Sequence, residues 1–394
     1  MRLMFLTFST LSSNAGHLAR LSRELKYLSQ LNEISIVCLG KNPDDENTKK
    51  NYENITFFHY PVEFNGWEVK DQSKVVENIN SFITQFKPDA VILQMEIWDL
   101  MRELGKNLKG KVPFATVVHA MPFLVSPTNP SGDFKKDVEK YANSGISTYR
   151  KDYLLNHYQE VEEVFKNVRI IANNKTVAFY FNTYFKNLPI LVLPASSVVE
   201  ADKSYKISSN LKYDFAYMAR MEKGKGVEYL EDILKRISIK IGRKVKIVIL
   251  GRADDSFSKQ ALAKLVSNKS KHFEADYEGW ADDSTKNSIL PSCGVFLYPS
   301  HYDNYPTVVN EALALGLPVI TWSVPFSKLN YSATNAVKKV KLLNFQKFAN
   351  LAVESLKERN ILSTQALNFI KSFKSVKEVS RLDTKLFENL SKNE

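Results

Sequence analysis

Asp303 and Glu311 stand with seven residues between them in the stretch 298–320, YPSHYDNYPTVVNEALALGLPVI. Between the acids, Asn304, Tyr305, Pro306, Thr307 and Val308 lead into a helical pattern carried by Val308, Val309, Ala312, Leu313 and Leu315. Thr307 is placed to cap that helix and Pro306 to set its start. The backbone N–H groups from Asn304 to Val308 are then expected to face an anion, because a helix N-terminus carries unsatisfied donors and partial positive charge. Carboxylates beside an anion site make sense when the ligand also carries hydroxyls. A sugar nucleotide has both: a diphosphate for the amides, and sugar and ribose hydroxyls for the acids.

Such residues need a strand to deliver them and a helix to hold them. Residues 295–298 read as a short buried strand that Pro299 and Ser300 stop, and Gly316 falls where a left-handed C-terminal cap belongs. Residues 317–320 begin the next strand. The same rhythm runs through the chain, with strands expected at 2–8, 33–39, 55–60, 90–95, 114–119, 168–172 and 190–193, then at 215–218, 246–250 and 272–277. Helical faces lie between them, such as Leu18, Leu21, Leu25 and Leu28, with Arg20, Arg23 and Lys26 turned to solvent. Residues 41–54 read as a polar loop. After Thr321 the pattern weakens, with helices expected at 345–356, 366–373 and 376–390. Alternation of this kind predicts an α/β architecture with parallel sheets covered on both faces.

Three further places carry candidate chemistry. The strand at 215–218 is followed by Ala219, Arg220 and then Lys225–Gly226, ahead of a helix with Val227, Leu230, Ile233, Leu234 and Ile237 on one face. Two cations and free loop amides at such a junction suit a diphosphate. Lys223, between them, is the lesser candidate. His119 ends a strand, where an open parallel sheet binds ligands; alone, such a histidine is more often structural. Gly16 opens the first helix, either as a point of close approach to a ligand or as an ordinary loop glycine. Trp280, in the turn Tyr277-Glu-Gly-Trp, either stacks on a base or fills a core gap.

Taken together, the strand-end His119, the R-x4-K-G loop from Arg220 and the acid pair resemble the signature of retaining glycosyltransferases of family 4, the glycosyl transferases group 1. The resemblance spans about residues 1–375. It implies the GT-B fold, two doubly wound Rossmann-like domains facing across a cleft. Residues 1–198 would form the acceptor-side domain, 199–212 the linker, 213–375 the nucleotide-sugar domain, and 376–394 a helix returning to the first domain. The resemblance implies that Arg220 and Lys225 hold the donor phosphates, that Gly16 faces them, and that His119 contacts donor sugar or phosphate. It also implies that Trp280 lies near the nucleobase and that Glu311 binds the ribose. The family's first acid is usually Glu and contacts the donor sugar; Asp303 is one methylene shorter. The usual glycine before the arginine is Ala219. The reaction implied is retaining sugar transfer from a UDP- or GDP-sugar to a glycan or lipid-linked acceptor in cell-surface polysaccharide or glycoconjugate synthesis, with no cofactor or metal.

Composition bounds these readings. The chain has 394 residues, 44% hydrophobic and 25% charged, which is ordinary for two globular domains. No apolar run reaches transmembrane length. The apolar N-terminus runs directly into a strand–loop–helix pattern and reads as a core strand, not a leader. Cys38 and Cys293 fall in separate predicted domains, so buried thiols in a reducing, cytoplasmic setting are expected. No histidine pair has metal-ligand spacing. The net charge of +11 is uneven: residues 1–200 carry +1 and residues 201–394 carry +10. That excess suits an anionic nucleotide, and it would also suit peripheral contact with an anionic membrane at its inner face. Two other classes compete. One is a DNA-modifying glucosyltransferase, against which stands the lack of a basic and aromatic stripe, so no nucleic acid is expected. The other is a non-catalytic partner subunit, for which Asp303 is the only hint. Residues 125–166, turn-rich and then rich in Tyr and charge from about Tyr149, are the expected acceptor-side segment.

Overall fold

The computed structural model describes residues 1–11, 18–52, 54–65, 68–119, 130–142, 163–165, 167–186, 188–194, 210–267, 270–301 and 303–392. Gly16, most of the expected linker and most of the expected acceptor segment lie outside the described residues.

The first sheet uses continuous apolar runs. Its strands are β1 (Arg2–Thr7), β2 (Glu33–Cys38) and β3 (Ile55–His59), then, past a small hairpin of β4 (Phe64–Asn65) and β5 (Glu68–Val69), β6 (Ala90–Leu93), β7 (Phe114–Val118), β8 (Arg169–Ala172) and β9 (Ile190–Val192). The seven long strands pair in parallel in the order β3-β2-β1-β6-β7-β8-β9. Leu3, Met4, Phe5 and Leu6 are all fully buried. Leu3 and Phe5 face one core, Met4 and Leu6 the other, as a sheet covered on both sides requires. The helices are α1 (Ala19–Leu31), α2 (Glu46–Lys50), α3 (Gln72–Phe86), α4 (Trp98–Leu108), α5 (Phe134–Ala142) and α6 (Lys175–Tyr184). Helix α2 corrects the expectation of a loop over 41–54. Asp45 caps it, accepting from the Thr48 amide at 2.6 Å.

The second sheet has β10 (Tyr213–Met218), β11 (Val245–Leu250), β12 (Phe273–Gly279), β13 (Cys293–Tyr298), β14 (Val319–Trp322) and β15 (Val337–Val340). Its parallel order is β12-β11-β10-β13-β14-β15. The chain reverses direction across the sheet between β10 and β13, so the loops leaving these two neighbours open a crevice. Its helices are α7 (Leu230–Ile241), α8 (Ser256–Val266), α9 (Asp283–Ile289), α10 (Thr307–Ala314), α11 (Pro325–Asn330), α12 (Phe345–Lys357), α13 (Arg359–Lys371) and α14 (Val376–Lys392). Helix α13 begins seven residues before the expected 366, and α11 and β15 were not expected at all. Gly316 has φ +76° and follows α10, and the Leu317 amide returns to Ala312 O at 2.9 Å, closing a Schellman-type cap.

Helix α14 packs against α1. Phe387 and Leu390 are 3% and 1% exposed, within the core that holds Leu3 and Phe5. The Phe387 ring meets Phe5 edge-on at 5.9 Å, and Arg169 donates to Leu390 O. Arg20 is central to this contact. Its guanidinium donates to Asp383 at 2.7 Å and to Pro194 O at 2.7 Å, and pairs with Glu24 at 3.1 Å. The expectation that Arg20 faces solvent is therefore corrected: a helix 363 residues away covers it. Burial, opposed by Arg20 and reinforced by Asp383, holds the Glu24 carboxyl well above its usual range. Both cysteines are buried free thiols in different sheets. Among the described residues no helix is long and apolar enough to cross a membrane.

Candidate active site

The loop leaving β10 and the loop leaving β13 meet because Gly226 lets them. Its φ is +94°, and a Cβ there would sit 2.4 Å from Pro299 O. Arg220, at the start of the first loop, is 72% exposed and paired with Glu222 at 3.0 Å. Lys225, at its end, is 15% exposed. The two cations thus differ sharply in setting. The loop amides are not open as expected: Gly224 N and Gly226 N donate to the two oxygens of Glu228 at 3.0 and 3.1 Å. Burial raises the Glu228 carboxyl above its usual value, although these amides favour its charge. Its signal in the sequence is an acid in the first turn after the glycines.

Lys225 reaches across to the second loop. Its ammonium donates to Asp303 Oδ2 at 2.9 Å, and the same oxygen accepts the Tyr298 hydroxyl at 2.5 Å. Asp303 Oδ1 accepts the Asn304 amide at 2.9 Å. Burial, and then Asp303, hold the Tyr298 phenol well above its usual value, so it stays a donor. The expectation of free amides from Asn304 to Val308 is corrected at Asn304. The expected Thr307 cap is also absent: Pro306 is the N-cap of α10 and no side chain caps the helix. The later amides therefore start an eight-residue helix without a side-chain acceptor. Tyr305 is half-buried, its phenol raised by burial and opposed by Asn310.

One turn into α10, Glu311 meets Lys286 of α9 at 3.2 Å, and Lys286 also pairs with Asp283 at 2.7 Å. Burial disfavours the Lys286 ammonium, but the carboxylates of Glu311 and Asp283 outweigh it and raise its pKa. Trp280 is 53% exposed with the Arg252 guanidinium 5.5 Å from its ring centre. The core-filling alternative for Trp280 is thereby removed. Arg220, Trp280, Lys286, Thr307 and Glu311 line one cleft of about 880 Å³, to which Leu11, Ser22 and Arg23 from the first sheet's part of the chain also contribute.

Lys225, Asp303 and His119 are not in that lining. They join a second, less exposed network. Asn304 Nδ2 donates to His119 O at 3.0 Å, linking the two domains. The His119 amide donates to Glu96 at 3.1 Å, and Asn173 Nδ2 lies 3.0 Å from His119 Nδ1. Asn330 of α11 continues the bridge, donating to Thr176 Oγ1 at 3.0 Å and to Asn304 O at 3.2 Å. Sequence reasoning missed Tyr298, five residues from its partner Asp303, and Lys286, Asn173 and Asn330, whose partners Glu311, His119 and Thr176 lie farther off in the chain. Among the described residues no group of three or more His, Cys, Asp or Glu is placed to hold a metal.

Residues 200–328 match the sequence model of the family described as glycosyl transferases group 1. No curated protein matches the chain significantly. Several solved structures share its fold along the whole length. The sucrose-phosphate synthase of Thermosynechococcus elongatus superposes with a TM-score of 0.74 at 13% identity, covering 99% of each chain. A glycosyltransferase of Rickettsia africae gives 0.68 at 14% identity over 100% of each. Anabaena HepE, solved with UDP and glucose, gives 0.63 at 14% identity over 99% of this chain and 100% of its own. The protein thus has the two-sheet GT-B fold of these glycosyltransferases, and it resembles the glycosyl transferases group 1 across the segment that carries Arg220, Lys225, Asp303 and Glu311.

Proposed function

We propose that this protein is a retaining, family-4-type glycosyltransferase that moves a sugar from a nucleotide-diphosphate sugar to a hydroxyl acceptor. The observation that carries this reading is the cleft itself, where Arg220, Trp280, the start of α10 and Glu311 line one volume. Trp280 offers a face for the base, Glu311 an acceptor for ribose hydroxyls, and Arg220 with the first amides of α10 a seat for the diphosphate. The family match and the likeness to a UDP-bound relative support a nucleotide donor, with UDP- and GDP-sugars the first to test.

In this reading the bond from the anomeric carbon to the leaving phosphate breaks. The acceptor oxygen bonds on the same face, and its proton passes to the departing phosphate. Charge grows on the diphosphate, which in this reading Arg220 and the helix amides meet from the cleft and Lys225 from the adjoining network. An Asn173 amide donating to His119 Nδ1 puts the ring proton on Nε2, a donor for a sugar hydroxyl. The cations take a metal's part, so activity is expected to survive EDTA; a strict need for a divalent ion would overturn that point. The acceptor in this reading is a glycan or lipid-linked oligosaccharide of cell-surface polysaccharide or glycoconjugate synthesis. The lipid-linked form goes with a cytoplasmic protein that touches the anionic inner face of the membrane.

The test is a screen of UDP-, GDP- and ADP-sugars by thermal shift and donor hydrolysis, with Glu311→Ala and Arg220→Ala alongside. Stabilisation by one nucleotide class, lost in both variants, is the expected result. No shift with any donor would remove the catalytic reading and leave the non-catalytic partner subunit.

A further inference from the structure

The geometry points to Asp303 as a positioning residue for Lys225, acting with Tyr298, instead of a ligand of the donor sugar. This inference rests on the proposed function and specifies one of its parts. A carboxylate offers about four acceptor positions. Three are used here, by Lys225 Nζ at 2.9 Å, the Tyr298 hydroxyl at 2.5 Å and the Asn304 amide at 2.9 Å. Lys225 and Asp303 are each only 15% exposed, so solvent screens the pair weakly.

The shorter side chain explains the arrangement. Asp303 is held at the mouth of β13 by its own neighbour's amide, and Tyr298 is the last residue of that strand. Both supports come from within five residues of Asp303. The carboxylate is therefore fixed by the strand end, and it in turn fixes the lysine that comes from the neighbouring strand β10. An ammonium has three hydrogens. Asp303 holds one of them at 2.9 Å, so the pair aims the cation. A cation held in place before charge develops lowers the barrier more than one that must be reoriented. Tyr298, whose hydroxyl is kept protonated by burial, stops the carboxylate from following Lys225 when phosphate arrives.

The test is steady-state kinetics on the full chain with its best donor, comparing Asp303→Asn, Asp303→Glu and Tyr298→Phe. Nucleoside-diphosphate affinity is measured by calorimetry in parallel. A positioning role predicts that Asp303→Asn lowers kcat by about 10- to 100-fold while donor KM and UDP or GDP affinity change less than about threefold. Tyr298→Phe, which removes a single oxygen, should show the same split at about 3- to 10-fold. Asp303→Glu restores the charge one methylene out of place and should recover part of the lost kcat. A rise in donor KM with kcat unchanged would overturn the inference and return Asp303 to the sugar. Unchanged kinetics in Tyr298→Phe would also overturn it, and that variant carries the test if Asp303→Asn does not fold. Failure of the wild-type protein to bind any nucleoside diphosphate would instead sink the proposed function.

Discussion

Two acid–lysine pairs, one lining the cleft and one beside it, look alike and are built oppositely. Lys225–Asp303 lies at 2.9 Å and Lys286–Glu311 at 3.2 Å, all four side chains between 15% and 18% exposed. Asp303 sits on a loop, yet its carboxylate has three donors, two of them from its own stretch of chain. Glu311 sits on a helix, yet the Lys286 it meets is shared with Asp283. The first pair is rigid at its acid and the second at its backbone. A rigid carboxylate is suited to hold a cation still, and one with a single shared partner is suited to exchange that partner for a ligand's hydroxyls.

The comparison breaks or sharpens at each side chain in turn. Lys225→Ala should have the largest effect. It removes the cation from the rigid pair and leaves Asp303 partly buried without it, so kcat should fall by at least about 100-fold in a donor-hydrolysis or transfer assay. Glu311→Ala should come next and should act on binding. The loss of a charged hydrogen-bond acceptor is worth about 1.5–3 kcal/mol, or roughly 10- to 100-fold in nucleotide affinity by calorimetry. Equal losses of kcat and affinity in the two variants would erase the distinction between the pairs. Lys286→Met should be smaller, a few-fold change in donor KM, because it releases Glu311 without removing any ligand contact. A loss as large as that of Glu311→Ala would make Lys286 a ligand contact itself.

The smallest effect belongs to a third cluster, Arg20 with Glu24 and Asp383, away from the cleft lining. The Glu24 carboxyl is raised in the folded state, mainly by burial. Such a group supports folding fully below its unfolded value near 4.5 and loses that support as pH rises through the folded value. Glu24→Gln removes the titration. The variant's stability, read as thermal unfolding against pH, should decline less than the wild type's above pH 4.5. A wild-type curve that runs parallel to the variant's would show that Glu24 does not titrate there.

The parts of the site legible in the sequence are those that depend on neighbours in the chain. β13, the Asp303 loop, α10 and the Gly316 cap could be read because an apolar run, a proline and a glycine mark them between Cys293 and Gly316. Arg220 and Lys225 could be found for the same reason. What escaped was settled partly by near neighbours that take another role and partly at a distance. Thr307 is a good capping residue by type, but Pro306 holds the cap position. Glu228 fills the loop amides that a ligand was expected to meet. Strand β15, Val-Lys-Lys-Val, is polar at two of four positions because it is an edge strand, and α11 is only six residues long. Arg20 read as solvated because no local pattern announces that α14 will cover it.

That return of α14 has a consequence for how the molecule is made. Phe387 and Leu390 complete a core whose other members include Leu3, Phe5 and Leu25. The residues that seal the first sheet are therefore translated after the whole of the second. Domains usually fold in the order of synthesis. Here the second sheet can close while the first still exposes the surface that α14 will cover, so the half that begins first is the half that finishes last.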